Sequence, residues 1–412
     1  MRSGLLKLFL ASCSGLLLAG CVADVDVYEP VPAPVVNNTL EVKHLWSRSI
    51  GWGVGDYYSR LRPAVDDERV YAASRDGDVY AFNKLTGEKL WHVDLEDGEE
   101  NDERRTVGLS GGITIGDGVI YIAAENGYVY ALKAADGTLL WKYNTGSEIV
   151  AAPACDYSQV YVMSSFGQLT AINSTTGERA WTGGTDSKML ALRGTSAPVV
   201  LNGGLVMYGT SDGKLNFVRA DRGLMVKQVP VGNAHGTTRL ARLNDVVTTP
   251  LVISNEIYIT GLAGNLTGIV YPRFQNMWSR NYSSYQDLAY DLSDLALTDR
   301  NSHIHAIIRI DGSERWVNSA LTYRSVTGPA YLGDYVIVGD YEGYLYWLDG
   351  ADGRFVNKEK LDSSGIYTAP VVDGNIAYVV TRNGELWALT PKGSATDPDM
   401  NAEENSDEES AE

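Results

Sequence analysis

The sequence is poor in the residues on which most active sites depend. Its 412 residues include three cysteines, none of them adjacent to another, and five histidines. A disulfide framework and a cysteine-rich zinc site are therefore excluded. No Gly-x-Ser-x-Gly elbow of a hydrolase occurs. His303 and His305 alternate on one strand face, but we find no carboxylate at ligand spacing in the sequence. We therefore predict no metal site, no catalytic residue and no bound cofactor.

Basic residues are also scarce. Lysine and arginine together number 34 against 52 acidic residues, which gives a net charge of −18. Contact with phosphate groups requires a basic surface, so this balance argues against a nucleic-acid partner. Part of the excess is local, because residues 391–412 carry eight acids against Lys392 and few apolar side chains. We expect this segment to be a solvated tail.

The chain has one long apolar run, and it lies at the N-terminus. Arg2 and Lys7 precede an apolar segment from Leu8 to Leu18, which is too short for a permanent membrane span and is typical of a secretory signal. The following Leu18-Ala19-Gly20-Cys21 resembles the bacterial lipobox. That resemblance implies cleavage before Cys21, a lipid thioether on its sulfur and acylation of the new amino group. Val22 in place of an Asp implies the outer membrane. An ordinary signal peptide with a chance cysteine is the alternative.

Glycine and tryptophan, in contrast, recur in a fixed pattern. Gly127-Tyr-Val-Tyr-Ala131-Leu leads through an Asp-Gly turn to Trp141, which predicts a strand, a tight turn and a returning strand. Related copies begin at 77, 167, 213, 264, 302, 343 and 384. Proline precedes the opening glycine by 14 or 15 residues in six copies, with an apolar segment between. Each unit therefore contains four short strands, as in a β-propeller blade.

Eight copies predict an all-β fold, an eight-bladed β-propeller of four-stranded antiparallel blades. The last copy has no returning strand, whereas residues 39–46 form an unpaired strand that ends in Trp46. We expect this N-terminal strand to complete the last blade and close the ring. The predicted organisation is a signal peptide (1–20), lipidated Cys21 with a proline-rich extended tether (21–38), the propeller (39–391) and an acidic disordered tail (392–412). Cys155 is expected to be an inert buried thiol.

The repeat resembles the tryptophan-docking motif of quinoproteins, enzymes that use pyrroloquinoline quinone (PQQ). In those enzymes the tryptophan is structural, and the cofactor is held by a vicinal disulfide, a tryptophan and a calcium ion bound by Glu, Asn and Asp. This chain has no vicinal cysteines. The motif therefore supports the propeller fold rather than quinone chemistry.

Lipobox, proline-rich tether and eight such blades together resemble the BamB family, propeller lipoproteins of the outer-membrane β-barrel assembly machinery. Three stretches carry the likeness: 190–198, 242–250 and 339–355. The resemblance implies a non-enzymatic scaffold on the periplasmic side of the outer membrane that docks onto a POTRA domain of the barrel-inserting subunit BamA. Unfolded outer-membrane proteins are a second implied partner, received at exposed blade edges.

The family's contact residues correspond here to Leu190, Leu192, Arg193 and Asp245. Val247 stands where the family usually has a second acid. From the residues alone, two leucines beside an arginine in a loop fit an interface as well as they fit core. The alternative functions are a periplasmic PQQ-dependent dehydrogenase and a propeller lipoprotein with another envelope partner. Residues 279–300 interrupt the repeat and fit either a degenerate blade or an added contact.

Overall fold

The structure, a computed structural model, describes residues 28–57, 59–95, 107–184, 195–231, 245–262, 264–394 and 396. These residues form 32 strands in eight four-stranded antiparallel sheets. No helix long and apolar enough to cross a bilayer occurs among them. The predicted eight-bladed propeller is confirmed.

The blades follow the chain in order, and their first strands lie side by side around the centre of the ring. Blades 1 to 4 consist of β2 (Ala64–Val65), β3 (Arg69–Ala73), β4 (Asp78–Asn83), β5 (Lys89–Asp94); β6 (Leu109–Gly116), β7 (Val119–Ala124), β8 (Tyr128–Lys133), β9 (Leu139–Asn144); β10 (Ala154–Cys155), β11 (Gln159–Met163), β12 (Gln168–Asn173), β13 (Arg179–Gly184); β14 (Val199–Leu201), β15 (Leu205–Gly209), β16 (Lys214–Arg219) and β17 (Met225–Pro230). Blades 5 to 8 consist of β18 (Leu251–Ile253), β19 (Glu256–Ile259), β20 (Leu266–Val270), β21 (Gln275–Arg280); β22 (Ala289–Tyr290), β23 (Asp294–Thr298), β24 (Ile304–Ile308), β25 (Glu314–Asn318); β26 (Ala330–Leu332), β27 (Tyr335–Gly339), β28 (Tyr344–Asp349), β29 (Phe355–Lys360); β30 (Val371–Asp373), β31 (Ile376–Val380), β32 (Glu385–Pro391) and β1 (Val42–Ser49).

The N-terminal strand closes the ring, as the sequence predicts, but it begins three residues later than expected and continues three residues past Trp46, from Val42 to Ser49. β1 pairs antiparallel with β32, with Val42 opposite Pro391 and Ser49 opposite Glu385. Because β1 covers the outer edge of β32, the last blade gains its fourth strand without a covalent link. The irregular segment 279–300 proves to supply β22 and β23, the first two strands of blade 6.

The core is divided among the seams between blades. The described residues contain eight hydrophobic clusters, and each draws its members from two neighbouring blades. Each blade therefore buries its faces only against its neighbours, as in other repeat architectures. A seam is lost as soon as either of its blades is lost.

Six seams share one tryptophan contact. The indole N–H of the outer strand donates to a backbone carbonyl of the next blade at 2.8–3.2 Å. The ring also covers the turn glycine of that blade so closely that a Cβ there would lie within 3.0 Å of it. The pairs are Trp46/Gly87, Trp91/Gly137, Trp141/Gly177, Trp181/Gly223, Trp278/Gly312 and Trp316/Gly353. All six glycines have positive φ.

Two of the eight seams lack this pair, and in one of them other residues stand at both positions. Between blades 4 and 5, Lys227 stands at the tryptophan position and Phe274, with φ of 54°, stands at the turn glycine. The Phe274 ring packs against Phe217 at 4.8 Å between centroids. A side chain is tolerated in this turn because no indole covers it, and the phenyl ring occupies the seam instead.

Residues 28–40, most of which the sequence assigns to an extended tether, lie against blades 6 and 7. The Val31 amide donates to the Thr322 carbonyl at 3.2 Å, and Arg324 donates to the Val31 carbonyl at 2.8 Å. Lys358 donates to the Pro34 carbonyl at 2.7 Å. These bonds join residues about 300 positions apart, so sequence patterning contains no signal for them.

Candidate partner-binding face and central cavity

One face of the ring carries both the turns between the second and third strands and the connections between blades. We call it the connection face. It includes the turns at 164–168, 210–214 and 381–385 and the segment 50–57 that follows β1. Asp245, one of the predicted contact residues, belongs to a connection on this face. Leu190, Leu192 and Arg193 lie outside the described residues, as does Cys21.

Asp245 is described, and it lies at the seam between blades 4 and 5. Its side chain is only 1 % exposed. Its carbonyl accepts from the Leu262 amide at 3.0 Å, and the next amide, of Val246, donates to the Thr210 carbonyl at 3.1 Å. Val247 is buried too. Asp245 is thus placed to hold the connection in position more than to present a broad contact surface.

Phe166 is a feature of this face that the sequence reasoning missed. Its turn in blade 3 presents the ring with 69 % of its surface exposed. The equivalent turn residue in blades 1, 2 and 4 is Asp76, Asn126 and Asp212. The signal was available, because Phe166 is aromatic at a repeat position that is polar in six of the other seven blades and Ala263 in blade 5.

The position of Phe166 relates it directly to the predicted contact loop. Gln168, two residues later, pairs with Gly184, the last residue of β13. The connection that contains Leu190, Leu192 and Arg193 begins immediately after Gly184. An exposed aromatic ring therefore stands beside the start of that connection. Buried aromatic anchors dominate the energetics of protein interfaces.

A second exposed aromatic residue lies on the same face, beyond the closing strand. Trp52 is 82 % exposed. Its neighbour Gly53 lies against the backbone of Arg382 in the last turn of blade 8, where a Cβ would overlap the main chain. The glycines at 51, 53 and 55 all have positive φ. All three glycines provide the left-handed backbone conformation that this segment requires, and at Gly53 the close approach of the Arg382 backbone also excludes a side chain.

The centre of the ring contains a cavity of about 420 Å³ lined by the lead-ins to the inner strands. Arg60 crosses it and donates to the Thr195 carbonyl at 3.5 Å and the Tyr285 carbonyl at 3.2 Å. Asp287 accepts from the amide and hydroxyl of Thr249 at 2.7 and 3.0 Å. Arg60 also lies 4.0 Å from Asp287. These polar groups join blades from different parts of the chain.

The residues around the cavity differ from the cofactor site of the PQQ enzymes that the repeat resembles. Among the described lining residues there is no cysteine, tryptophan, glutamate or asparagine, and the carboxylates are Asp56 and Asp287. A calcium site of the Glu, Asn and Asp type therefore has no counterpart in this lining. The cavity wall is suited to holding the inner strands together.

Cys155 lies apart from this cavity lining, in β10. Its sulfur is 3.8 Å from the Ile115 carbonyl. Burial raises the pKa of the Cys155 thiol to about 11, and the nearby Asp156 carboxylate adds to the shift. The thiolate is the reactive form of cysteine, so Cys155 carries little nucleophilic character at neutral pH. This geometry fits the inert thiol expected from the sequence.

Comparison with known proteins links the chain to one family. Residues 41–107, 75–318 and 319–396 match a family model described as "Outer membrane protein assembly factor BamB". The protein of that name from Vibrio cholerae is 40 % identical over 374 residues, which cover 91 % of this chain and 95 % of the relative. The one from Yersinia pestis is 36 % identical over 378 residues, which cover 91 % and 96 %.

Solved structures extend the similarity at the level of fold. The crystal structure of BamB from Moraxella catarrhalis superposes with a TM-score of 0.76 at 23 % identity, covering 85 % of this chain and all of that chain. Propeller enzymes share the architecture as well. A quinohemoprotein alcohol dehydrogenase from Comamonas testosteroni gives a TM-score of 0.67 at 14 % identity, covering 88 % of this chain and 78 % of that chain.

Proposed function

Because this chain belongs to the BamB family of outer membrane protein assembly factors, we propose that it is a non-catalytic scaffold of the barrel-assembly machinery. In this proposal its connection face docks on a POTRA domain of a BamA-like subunit. The chain thereby supports the folding and insertion of outer-membrane proteins. Lipidation of Cys21 holds it on the periplasmic side of the outer membrane.

The observation that carries the docking proposal is the exposed Phe166 ring beside the start of the 185–194 connection. Leu190, Leu192 and Arg193 belong to that connection. An aromatic ring, two leucines and an arginine combine the apolar area and the directed charge that interface hot spots use. Asp245 is buried within the next connection along the chain, between blades 4 and 5.

The cavity supports a structural rather than a catalytic role. Arg60 and Asp287 bond to backbone and side-chain groups of separate blades. Withdrawing either group for a reaction would leave its partners unsatisfied inside the ring, at a cost of about 1–3 kcal/mol for each buried polar group.

The docked N-terminal segment limits where the ring can stand. The segment 28–40 is bound along the ring, and Tyr28 lies seven residues after the lipidated Cys21. Fully extended, these span about 25 Å at ~3.5 Å per residue. In this proposal the ring is therefore held close to the membrane, with the edge formed by blades 6 and 7 nearest the anchor.

Co-purification tests the docking surface. We expect Arg193→Glu or Phe166→Asp to reduce recovery of the barrel-inserting subunit with the affinity-tagged chain from detergent-extracted outer membranes. Tyr157→Asp is the matched control, because Tyr157 is 94 % exposed in the same blade but lies at the opposite end of β11. Recovery at the wild-type level with both face variants would refute this surface. Crosslinking in intact outer membranes would then identify any other envelope partner.

A further inference from the structure

Three potential ligand atoms converge at the connection-face end of blade 6. Asp299 follows β23, His303 precedes β24 and His305 lies within β24. Asp299 Oδ1 accepts the amides of Asn301 and His303 at 2.8 Å each and so fixes the turn. The other oxygen, Oδ2, lies 3.2 Å from His303 Nδ1 and 3.6 Å from His305 Nε2.

The spacing of these atoms fits a tetrahedral ion. Bonds of about 2.0–2.1 Å at tetrahedral angles separate two ligand atoms by about 3.3 Å. The distances of 3.2 and 3.6 Å from Asp299 Oδ2 fall on either side of that value. All three ligand atoms lie within 4.8 Å of one another. A small closure of the two imidazoles would complete the coordination geometry.

The outer hydrogen bonds orient both imidazoles toward the same point. His305 Nδ1 lies 2.9 Å from the Glu314 carboxylate, which the Tyr282 hydroxyl also contacts at 3.0 Å. A carboxylate can only accept, so Nδ1 carries the proton and Nε2 presents its lone pair inward. His305 is 8 % exposed, and Nε2 has no hydrogen-bond partner among the described residues.

The second imidazole is fixed in the same sense. His303 Nε2 lies 3.2 Å from the Thr322 hydroxyl, which itself donates to the Ser319 carbonyl at 2.6 Å. Because the hydroxyl proton is used in this way, His303 Nε2 can donate to the Thr322 oxygen, and in that tautomer Nδ1 is available to bind a cation. One nitrogen of each imidazole and one oxygen of Asp299 thus face one another, and each ring has an outer acceptor that can hold its proton when the inner nitrogen binds a cation.

We propose that Asp299, His303 and His305 bind a divalent transition-metal ion, for which Zn²⁺ is the best fit. Two imidazoles and one carboxylate suit zinc and leave a fourth position open, whereas Ca²⁺ and Mg²⁺ prefer oxygen ligands throughout. Glu314 plays the role of the outer carboxylate that orients a metal-bound histidine. His303 is partly exposed, so the fourth position opens to solvent on the connection face.

The sequence analysis did not predict this site because the carboxylate belongs to the turn that precedes the two histidines. Asp299 stands four residues before His303. It aligns with the turn residues Ser74, Ser164 and Thr210 of other blades, so its repeat position predicts only that its side chain caps the turn. The expectation that no carboxylate stands at ligand spacing is therefore wrong. One oxygen caps the turn while the other remains available to an ion.

Calorimetric titration of the chelator-treated mature chain with Zn²⁺ tests the proposal. We expect one equivalent bound in the wild type, with affinity at least tenfold weaker in Asp299→Asn, which keeps an oxygen for the cap, and in His303→Gln. His92→Gln is the control: His92 lies 2.7 Å from Asp78 in blade 1 without a second histidine, and we expect unchanged binding.

Co²⁺ substitution gives a readout independent of affinity. A tetrahedral site in the wild type should produce intense visible d–d absorption, and this absorption should disappear in both ligand variants. Circular dichroism of each variant establishes that it is folded, and the partly exposed His303 offers a substitution that leaves the core intact. No saturable uptake, or uptake equal in wild type and ligand variants because the acidic tail binds the ion, would overturn the proposal.

Discussion

A glycine-to-alanine pair measures how strongly the tryptophan contacts constrain the ring. Gly177 has φ of 71°, and a Cβ there would lie 2.7 Å from the Trp141 ring of the preceding blade. Gly118 has φ of 73°, but its Cβ would meet nothing within 4 Å. The two positions therefore impose the same backbone strain on alanine and differ in the overlying indole.

The expected magnitudes follow from these two terms. Alanine in the left-handed region costs about 1–2 kcal/mol, which is the whole effect expected for Gly118→Ala. Overpacking a fixed ring adds about 1–3 kcal/mol, so Gly177→Ala should lose about 2–5 kcal/mol. Urea unfolding, followed by both tryptophan fluorescence and circular dichroism, measures the free energies if the m-values are equal.

A double-mutant cycle then isolates the indole. The seam between blades 4 and 5 already has Lys227 at the tryptophan position and Phe274 at the turn glycine position. In the Trp141→Lys background, Gly177→Ala should therefore lose less unfolding free energy, by the amount assigned above to overpacking against the indole. Coupling of about 1–3 kcal/mol is expected for groups in direct contact. Equal losses at 177 and 118, or a penalty at 177 that persists in the Trp141→Lys background, would refute this reasoning.

Three further outcomes are expected. Trp46→Ala should lower the free energy of unfolding by about 3–5 kcal/mol. Removing residues 42–49 should expose the edge of β32 and cause the chains to associate, which light scattering would detect. A truncated chain that stays monomeric would contradict closure by β1. Arg324→Met should cost about 3–5 kcal/mol because the fully buried Asp340, 2.8 Å away, loses its cation, whereas Arg354→Met at an exposed pair should change unfolding by under about 1 kcal/mol. In a soluble chain starting at residue 22, Cys155 should react with iodoacetamide at pH 8 about 100-fold more slowly than a thiol of unshifted pKa, because its pKa rises from 9.0 to about 11. The rate should increase about tenfold per pH unit toward pH 11, and a fast reaction at pH 8 would contradict the burial of this thiol.

The sequence by itself determined the architecture of this protein. The period from one opening glycine to the next, the strand alternation and the missing outer strand of the last copy are all local signals. They were sufficient for eight blades, closure by the N-terminal strand and the BamB family, although the strand bounds differ by three residues at each end. Such signals survive in a sequence because each blade folds from consecutive residues and contacts only its neighbours.

Only the tertiary structure decided what the blades bring together. Arg60 meets Tyr285 across 225 positions, Arg324 holds Val31 across 293, and Asp299 turns one oxygen toward two imidazoles. These contacts depend on the curvature of a closed ring and on the pose of single side chains. Neither the curvature of the ring nor the pose of a single side chain repeats along the sequence, so the repeat pattern could not predict these contacts.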